Sequence, residues 1–136
     1  RGYELSGDLD VADHLAVSGN YTRLSVKDGD DAVIEYRPEH QANLALKMQA
    51  TDALSASLSV NYVGGMTYSF WANSQTNVHK LSYYRTDLGF LMDLNEAVRL
   101  KFGVNNIGDT NLDNMDSHIT TVELGRNYYL GGTYSF

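Results

Sequence analysis

The chain contains no cysteine among its 136 residues, which excludes a disulfide framework, a thiolate zinc site and a cysteine nucleophile. It has a single proline, and no uncharged apolar run approaches the roughly 18–20 residues that a membrane-spanning helix needs. Lysine and arginine number only 10 against 17 acidic residues, and the net charge of −7 argues against a nucleic-acid partner. Because no serine or carboxylate pair stands in a catalytic motif, the sequence predicts neither an enzyme nor a cofactor.

Alternating polarity is the strongest pattern that the chain does contain. In residues 54–62, apolar side chains or tyrosine occupy every even position, and serine or asparagine occupies every odd one. A strand places these two sets on opposite faces, whereas a helix would scatter them around its circumference. The alternation also explains why 43% apolar residues give a mean hydropathy of only −0.34. We expect antiparallel strands near residues 3–9, 15–22, 41–49, 54–62, 87–94, 98–105 and 127–136.

The connections between these strands alternate strictly in length. Residues 10–14, 51–53 and 95–97 form short turns, whereas residues 27–39, 64–85 and 107–125 form long loops. Outer-membrane barrels have short periplasmic turns and long extracellular loops, so the sequence predicts an all-β, antiparallel transmembrane β-barrel segment in a bacterial outer membrane. Aromatic residues are expected at both membrane interfaces. They lie near the predicted outer ends at Tyr3, Tyr21, Tyr62 and Tyr128, and near the inner end at Tyr134 and Phe136.

The number of predicted strands indicates a larger assembly. Seven strands leave open sheet edges, which are not tolerated in lipid, and single-chain bacterial barrels have even strand counts. Residues 119–124 are expected to lengthen the last strand rather than to form another span. We therefore expect the chain to be part of a longer protein.

The last predicted strand resembles the assembly signal that outer-membrane proteins present to the barrel-assembly machinery. Its apolar or aromatic side chains recur at every second position, and its backbone is available for strand addition. The residues that carry this resemblance are Tyr128, Leu130, Tyr134 and Phe136.

Three further segments, in this order and spacing, resemble the C-terminal barrel region of TonB-dependent receptors. They are Tyr-Arg-Pro-Glu-His at 36–40, Val-Asn-Asn-Ile-Gly-Asp at 104–109 and Gly-Arg-Asn-Tyr-Tyr at 125–129. The resemblance implies that residues 1–136 are the C-terminal portion of a barrel of about 22 strands, with its plug domain absent from this chain. It also implies TonB-dependent uptake of a scarce solute, most often a ferric siderophore and less often haem, cobalamin or a glycan. The implied partners are the remaining barrel and plug, TonB acting through that plug, and the lipid and lipopolysaccharide of the outer membrane.

The long connection at residues 64–85 is the best candidate for contact with a solute. It combines aromatic rings with basic side chains, which suit flat anionic siderophores. We expect ligand contacts from Tyr68, Phe70, Trp71, His79 and Arg85, with Trp71 foremost. The alternative interpretation is that these residues belong to an interfacial aromatic girdle and to strand extensions above the membrane.

No metal site is predicted. Residues 109–116 are rich in aspartate, but Asn114 replaces the glycine and Thr120 the glutamate that a calcium loop requires. The four histidines lie in turns or loops without metal-ligand spacing. Charged side chains on the polar faces are expected to pair with one another or with plug residues. They are Glu4, Asp8, Lys47, Asp87, Asp93, Arg99 and Lys101.

Two alternatives to a transport receptor remain open from the sequence. The first is a small self-contained outer-membrane barrel with a structural or adhesive role. The second is a soluble antiparallel sandwich that binds ligands. A sandwich would bury one face of its sheet in a dry core, whereas a barrel would leave the apolar face to lipid.

Overall fold

The computed structural model describes residues 1–25, 27, 34–116, 118 and 124–136, and they form one antiparallel sheet. Its strands follow the chain order, so each strand pairs with its neighbours in sequence. The strands are β1 (Gly2–Ala12), β2 (Leu15–Leu24), β3 (His40–Thr51), β4 (Leu54–Ala72), β5 (Gln75–Asp93), β6 (Val98–Asn105) and β7 (Asn127–Tyr134). The seven predicted strands and their antiparallel order are confirmed.

The strand register gives the sheet one apolar and one polar face, as the alternation predicts. Partners across an antiparallel pair point to the same face of a sheet. One apolar row crosses all the strands through Leu9, Val17, Leu46, Leu58, Leu88, Val104 and Tyr128. The next row is mostly small or polar and runs through Asp10, Ala16, Lys47, Ser57, Gly89, Gly103 and Tyr129.

The apolar face is open to its surroundings. Leu5 is 65% exposed, Leu9 64% and Leu130 79%. Across the described ranges, the buried hydrophobic side chains are limited to Tyr68, Leu81 and Leu112, which cluster beyond the apolar rows rather than under them. A soluble sandwich would need one whole face covered. The sheet therefore has the burial pattern of a barrel wall that meets lipid.

A short helix, α1 (Leu112–Met115), lies in the connection between β6 and β7. No helix in the described part of the chain is long and apolar enough to cross a membrane. The predicted lengthening of the last strand by residues 119–124 falls largely outside the described residues, which resume at Leu124.

Two of the recognised segments meet where β6 ends and β7 begins. Asn106, with a φ of 54° and 3% exposure, donates its backbone N–H to Asp87 Oδ1 at 2.7 Å. Its side chain exchanges hydrogen bonds with the backbone of Thr110 at 2.8 and 2.9 Å. Asp109 Oδ1 accepts the backbone N–H of Arg126 at 2.7 Å. These segments therefore fix the exit from β6 and the entry to β7.

The prediction of a long loop at residues 64–85 is wrong. β4 and β5 each continue for 19 residues and meet in a tight turn at Asn73 and Ser74, whose φ angles are 54° and 63°. Two consecutive positive φ angles are typical of the two-residue turns that match strand twist. A strand needs about 9–11 residues to cross a bilayer, so both strands project well beyond it. The alternative interpretation, strand extensions above the membrane, describes this part of the chain.

A β-bulge at the base of this hairpin extension, residues 66–81, changes the faces of β4. Val63 pairs with Tyr83 and Met66 pairs with Leu81, so β4 has one residue more than β5 between the two pairs. Gly65 takes up the extra residue with a φ of 67°. Even-numbered β4 residues therefore lie on the apolar face before the bulge and on the polar face after it.

Candidate functional site

The polar face of the hairpin extension carries a small buried cluster. Tyr68, paired with His79, is 1% exposed and packs with Leu81 and with Leu112 of helix α1. Met66, Phe70 and Tyr83 border this group. Because Leu112 belongs to the β6–β7 connection, the cluster joins that connection to the hairpin extension.

The carboxylate of Asp116, just after α1, is the polar centre of the site. Its Oδ2 accepts a hydrogen bond from the Tyr68 hydroxyl and another from His79 Nδ1 at 2.9 Å. Its Oδ1 accepts the backbone N–H of His118 at 3.0 Å and His118 Nδ1 at 2.8 Å. We call Tyr68, His79, Asp116 and His118 the carboxylate cluster.

Phe70 provides an aromatic surface beside the carboxylate cluster. The His118 ring stacks on it with centroids 3.6 Å apart and an interplanar angle of 13°. The His79 ring meets it edge-on, with centroids 4.9 Å apart and an angle of 86°. The two imidazoles therefore contact both the aromatic ring and the anion.

Burial and hydrogen bonding shift the acidities of the two oxygen groups in opposite directions. Burial, together with the hydrogen bond to Asp116, raises the pKa of Tyr68 to about 12. The hydrogen bond from Tyr68 lowers the pKa of Asp116 well below its usual range, and donors from His118 and His79 add to this effect. The cluster thus holds a neutral phenol against an ionised carboxylate.

The opposite side of the hairpin extension is a separate surface. Trp71, paired with Thr76, is 73% exposed there, on the same face as Val78. Lys80 Nζ lies 2.7 Å from Glu39 Oε1, and this hydrogen bond lowers the pKa of Glu39. The structure therefore separates Trp71 from Tyr68, Phe70 and His79, with which the sequence grouped it.

The segment before β3 supports the edge of β4. Tyr36 donates its backbone N–H to the Thr67 carbonyl at 2.8 Å, and its ring lies 6.5 Å from the ring of Tyr68. Glu35 accepts a hydrogen bond from the Ser69 hydroxyl. This segment has a structural role here, because Tyr36 occupies a backbone carbonyl that the extension would otherwise expose.

Arg85 lies lower on the polar face than the cluster. Its guanidinium carbon is 5.8 Å from the centre of the Tyr83 ring, a cation–π distance. Of the five predicted ligand residues, Tyr68, Phe70 and His79 are in mutual contact, Arg85 shares their face, and Trp71 does not.

The aspartate-rich segment at residues 109–116 is occupied by protein donors. Asp109 accepts from Arg126, Asn111 Oδ1 accepts the N–H of Asp113 at 2.9 Å, and Asp116 lies in the carboxylate cluster. Within the described ranges, no group of three or more His, Cys, Asp or Glu residues is placed to hold a metal ion.

The predicted pairing of polar-face charges is found between Arg99 and Asp93, while Asp87 and Lys101 contact a backbone N–H and an aromatic ring. Arg99 contacts both carboxylate oxygens of Asp93, at 2.5 and 3.0 Å. Asp87 accepts from the backbone of Asn106, and the Lys101 ammonium lies 5.5 Å from the Tyr129 ring centre. Pairing with a plug residue stays a prediction.

Sequence reasoning missed Asp116 and His118 as members of the site. They are 37 and 39 positions from His79 along the chain, and they lie in a different connection. Spacing rules detect partners within one element. The hydrogen bonds that unite these residues depend on the position of α1, which no local pattern in the sequence indicates.

The sheet has one polar face and one exposed apolar face, and it is extended at one end by a long hairpin. These features are typical of the wall of an outer-membrane barrel protein. Residues 1–107 match the family model described as TonB dependent receptor-like, beta-barrel. The chain therefore belongs to the TonB-dependent receptors, an outer-membrane family of transport receptors rather than enzymes. The predicted resemblance is confirmed.

Known siderophore receptors are similar in sequence and in fold. The catecholate siderophore receptor Fiu of Escherichia coli K12 is 27% identical over 118 residues, which are 81% of this chain and 16% of that protein. Its crystal structure in a closed form aligns over 80% of this chain and 16% of that chain, with a TM-score of 0.63 and 28% identity. The chain thus spans about a sixth of the length of this relative.

Two further structures share the fold. The siderophore receptor PirA of Acinetobacter baumannii aligns over 99% of this chain and 22% of that one, with a TM-score of 0.78 and 20% identity. The ferripyoverdine receptor of the Pseudomonas aeruginosa outer membrane aligns over 80% and 15%, with a TM-score of 0.65 and 22% identity. Both matches show the same arrangement of antiparallel strands.

Proposed function

We propose that this chain belongs to an outer-membrane receptor that imports a ferric siderophore in a TonB-dependent manner. The observation that carries the proposal is the hairpin extension, whose polar face directs Tyr68, Phe70 and His79 to the same side as the polar rows of the wall. In a barrel, that side is the interior. The long connections would be extracellular, so these residues would line the entrance.

The chemistry of this surface suits an aromatic, anionic solute. Rings stack on planar ligands, and imidazole, phenol and guanidinium groups donate hydrogen bonds to anionic oxygens. The relative Fiu is named as a catecholate siderophore receptor. We therefore favour ferric catecholates over haem, cobalamin or glycans, with Tyr68, Phe70, His79 and Arg85 as the proposed contacts. Trp71 leaves this set, because its side chain lies on the outer surface.

The open edges of the sheet support a place within a larger barrel. β1 and β7 are the outermost strands, and each pairs with only one neighbour among the described residues. In lipid, both edges need partners, so residues 1–136 would form the C-terminal portion of a barrel of about 22 strands. A self-contained small barrel would have to close on these seven strands, which makes that alternative the weaker one.

The lower part of the polar face offers a surface for a plug domain. A concavity of about 960 Å³ lies there, with lining residues that include Asp10, Lys47, Gln49 and Ser57. Among the described residues, no hydrogen bond or ion pair engages the side chains of Lys47, Glu4 or Asp8. Plug side chains would supply partners for these charges, and TonB would act through that plug.

The apolar face and the last strand have proposed partners outside the barrel. The apolar face would contact lipid and, at its outer end, lipopolysaccharide. The strand residues Tyr128, Leu130 and Tyr134, together with Phe136, are all highly exposed and would be recognised by the barrel-assembly machinery.

Growth under iron limitation tests the import proposal. The full-length gene would be expressed in a strain that lacks its own siderophore receptors, and single ferric catecholates, ferric hydroxamates, haem or cobalamin would be supplied. We expect growth and radiolabelled iron uptake with at least one ferric catecholate, and loss of both in a matched strain without TonB. Uptake that persists without TonB, or no uptake of any iron carrier, would contradict the proposal.

A further inference from the structure

The hairpin extension presents three groups that converge on one small volume. The Tyr68 hydroxyl and the His79 imidazole both donate to the same oxygen of Asp116. The face of the Phe70 ring lies beside them and is covered by His118. All three groups belong to β4 and β5, whereas Asp116 and His118, which occupy the space between them, belong to the β6–β7 connection.

The two occupants together have the outline of one aromatic anion. The His118 ring lies flat on Phe70, with 3.6 Å between the ring centroids. The carboxylate of Asp116 adjoins that ring, 2.8 Å from its Nδ1, and directs its other oxygen to His79 and Tyr68. A planar ring with negatively charged oxygens at its edge would make the same stacking contact and meet the same donors.

We infer that Tyr68, His79 and Phe70 form a subsite for an aryl group bearing anionic oxygens, and that Asp116 and His118 occupy it until the solute displaces them. The inference rests on the proposed import of a ferric catecholate and deepens it. Each ring of a catecholate carries two adjacent oxygens, so one edge can face the donors while the ring stacks on Phe70.

The burial of Tyr68 determines which solutes can displace Asp116 and His118. A buried hydroxyl without a partner is costly, so the loop carboxylate can leave readily only when another acceptor replaces it. A catecholate provides that acceptor and also a flat ring. A solute without an aromatic anion would offer the Tyr68 hydroxyl, His79 Nδ1 and the Phe70 face no replacement for Asp116 and His118, so the β6–β7 connection would stay in place.

Binding measurements on the full-length receptor in detergent test the inference. The probes are ferric tris(2,3-dihydroxybenzoate), which is aromatic and anionic, and a neutral ferric trihydroxamate. Asp116→Ala combined with His118→Ala removes the internal competitor, and we expect about tenfold tighter binding of the catecholate complex, the scale of one charged hydrogen bond. The hydroxamate should show no such gain. Met115→Leu, at an exposed position of α1 outside the cluster, is the control and should change neither affinity.

Variants of the hairpin extension are expected to weaken catecholate binding rather than strengthen it. Phe70→Leu and His79→Gln are each expected to weaken catecholate binding severalfold, also in the background that lacks Asp116 and His118. Catecholate binding by the wild type without any gain in the double variant would overturn the inference and leave the import proposal standing. An equal gain for both probes would also overturn it, because a general opening of the loop would then explain the effect. No binding of any iron complex by any variant would overturn the import proposal and this inference together.

Discussion

The ring of Tyr129 lies directly over the backbone of Gly103 on the polar face of the wall. A Cβ built on Gly103 would be 2.6 Å from the Tyr129 hydroxyl oxygen, and one built on Gly89, in the next strand, would be 2.7 Å from it. The register places Gly89, Gly103 and Tyr129 in one row across β5, β6 and β7. Two adjacent glycines therefore leave the space that one aromatic ring fills, which ties three strands together.

This packing predicts the cost of adding a methyl group at Gly89. Gly89→Ala should destabilise the barrel by about 1–3 kcal/mol, because the new Cβ meets the Tyr129 hydroxyl and also Ser57 Oγ at 3.0 Å. Tyr129→Phe in the same background should recover part of this loss by removing the hydroxyl. Gly131→Ala is the control, since nothing lies within 4 Å of its built Cβ. Urea unfolding of the full-length barrel in lipid would measure these differences, and equal losses at Gly89 and Gly131 would contradict the packing.

The face assignment predicts different effects of arginine at two adjacent residues. Leu58 lies in the apolar row and Ser57 in the polar row. Leu58→Arg should lower the free energy of unfolding by about 2–4 kcal/mol if it faces the middle of the bilayer, whereas Ser57→Arg should cost much less. Unfolding of both variants in the same lipid would give the comparison. Similar penalties would show that the two faces are wrongly assigned.

The carboxylate cluster predicts how the attachment of α1 depends on pH. The folded-state pKa of Asp116 is lowered, so its stabilising contribution is present above the unfolded carboxyl pKa of about 3.9 and is lost as the pH falls through the lower folded value. The pKa of Tyr68 is raised to about 12, so its contribution is present below the unfolded value of about 10 and is lost as the pH rises towards 12. Attachment should therefore weaken at both extremes of pH.

Hydrogen–deuterium exchange in the β6–β7 connection would detect this attachment. At neutral pH, Asp116→Asn should speed exchange of the α1 amides by about tenfold or more, because a charged acceptor with several donors is lost. Met115→Leu, at an exposed position within α1, is the control and should have little effect. Unchanged exchange in the Asp116 variant would mean that Leu112 packing alone holds the connection.

The proposed assembly signal predicts a defect in insertion rather than in binding. Deletion of Phe136, or Tyr134→Asp, should lower the amount of barrel in the outer membrane, since the apolar pattern of the last strand is interrupted. The few receptors that do insert should bind solute normally. Heat-modifiable mobility of membrane fractions would quantify folded barrel, with Thr133→Ser as a control on the polar face. Wild-type yields in both variants would refute the proposed signal.

The strands were predictable from sequence because the alternation that marks a strand involves only neighbouring positions of the chain. Alternation in residues 54–62 depends only on side chains two positions apart, and the structure keeps that stretch within β4 with Leu58 and Ser57 on opposite faces. Short turns were predictable for the same reason. The apolar face needs no distant partner within the chain, so no long-range contact was required to place it.

The candidate site was predictable only in part, because two of its determinants are not local. The bulge between Val63 and Met66 interrupts the alternation, which hides the continuation of β4. It also places Phe70 and Trp71 on the faces opposite to those that an unbroken alternation would give. The union of His79 with Asp116 and His118 depends on helix α1 packing on Tyr68. The aromatic and basic composition predicted solute contacts within residues 64–85, but it could not indicate which rings share a side.

The bulge at Gly65 also has a consequence for how such receptors diversify. A single added residue shifts the alternation of β4 above it, so side chains that would have continued the apolar face lie on the polar face instead. Removing that residue would bring Trp71 inward and turn Phe70 outward, without altering any other letter of the sequence. Under the proposed import function, an insertion or a deletion at this position would therefore change which rings face the solute, as a substitution would.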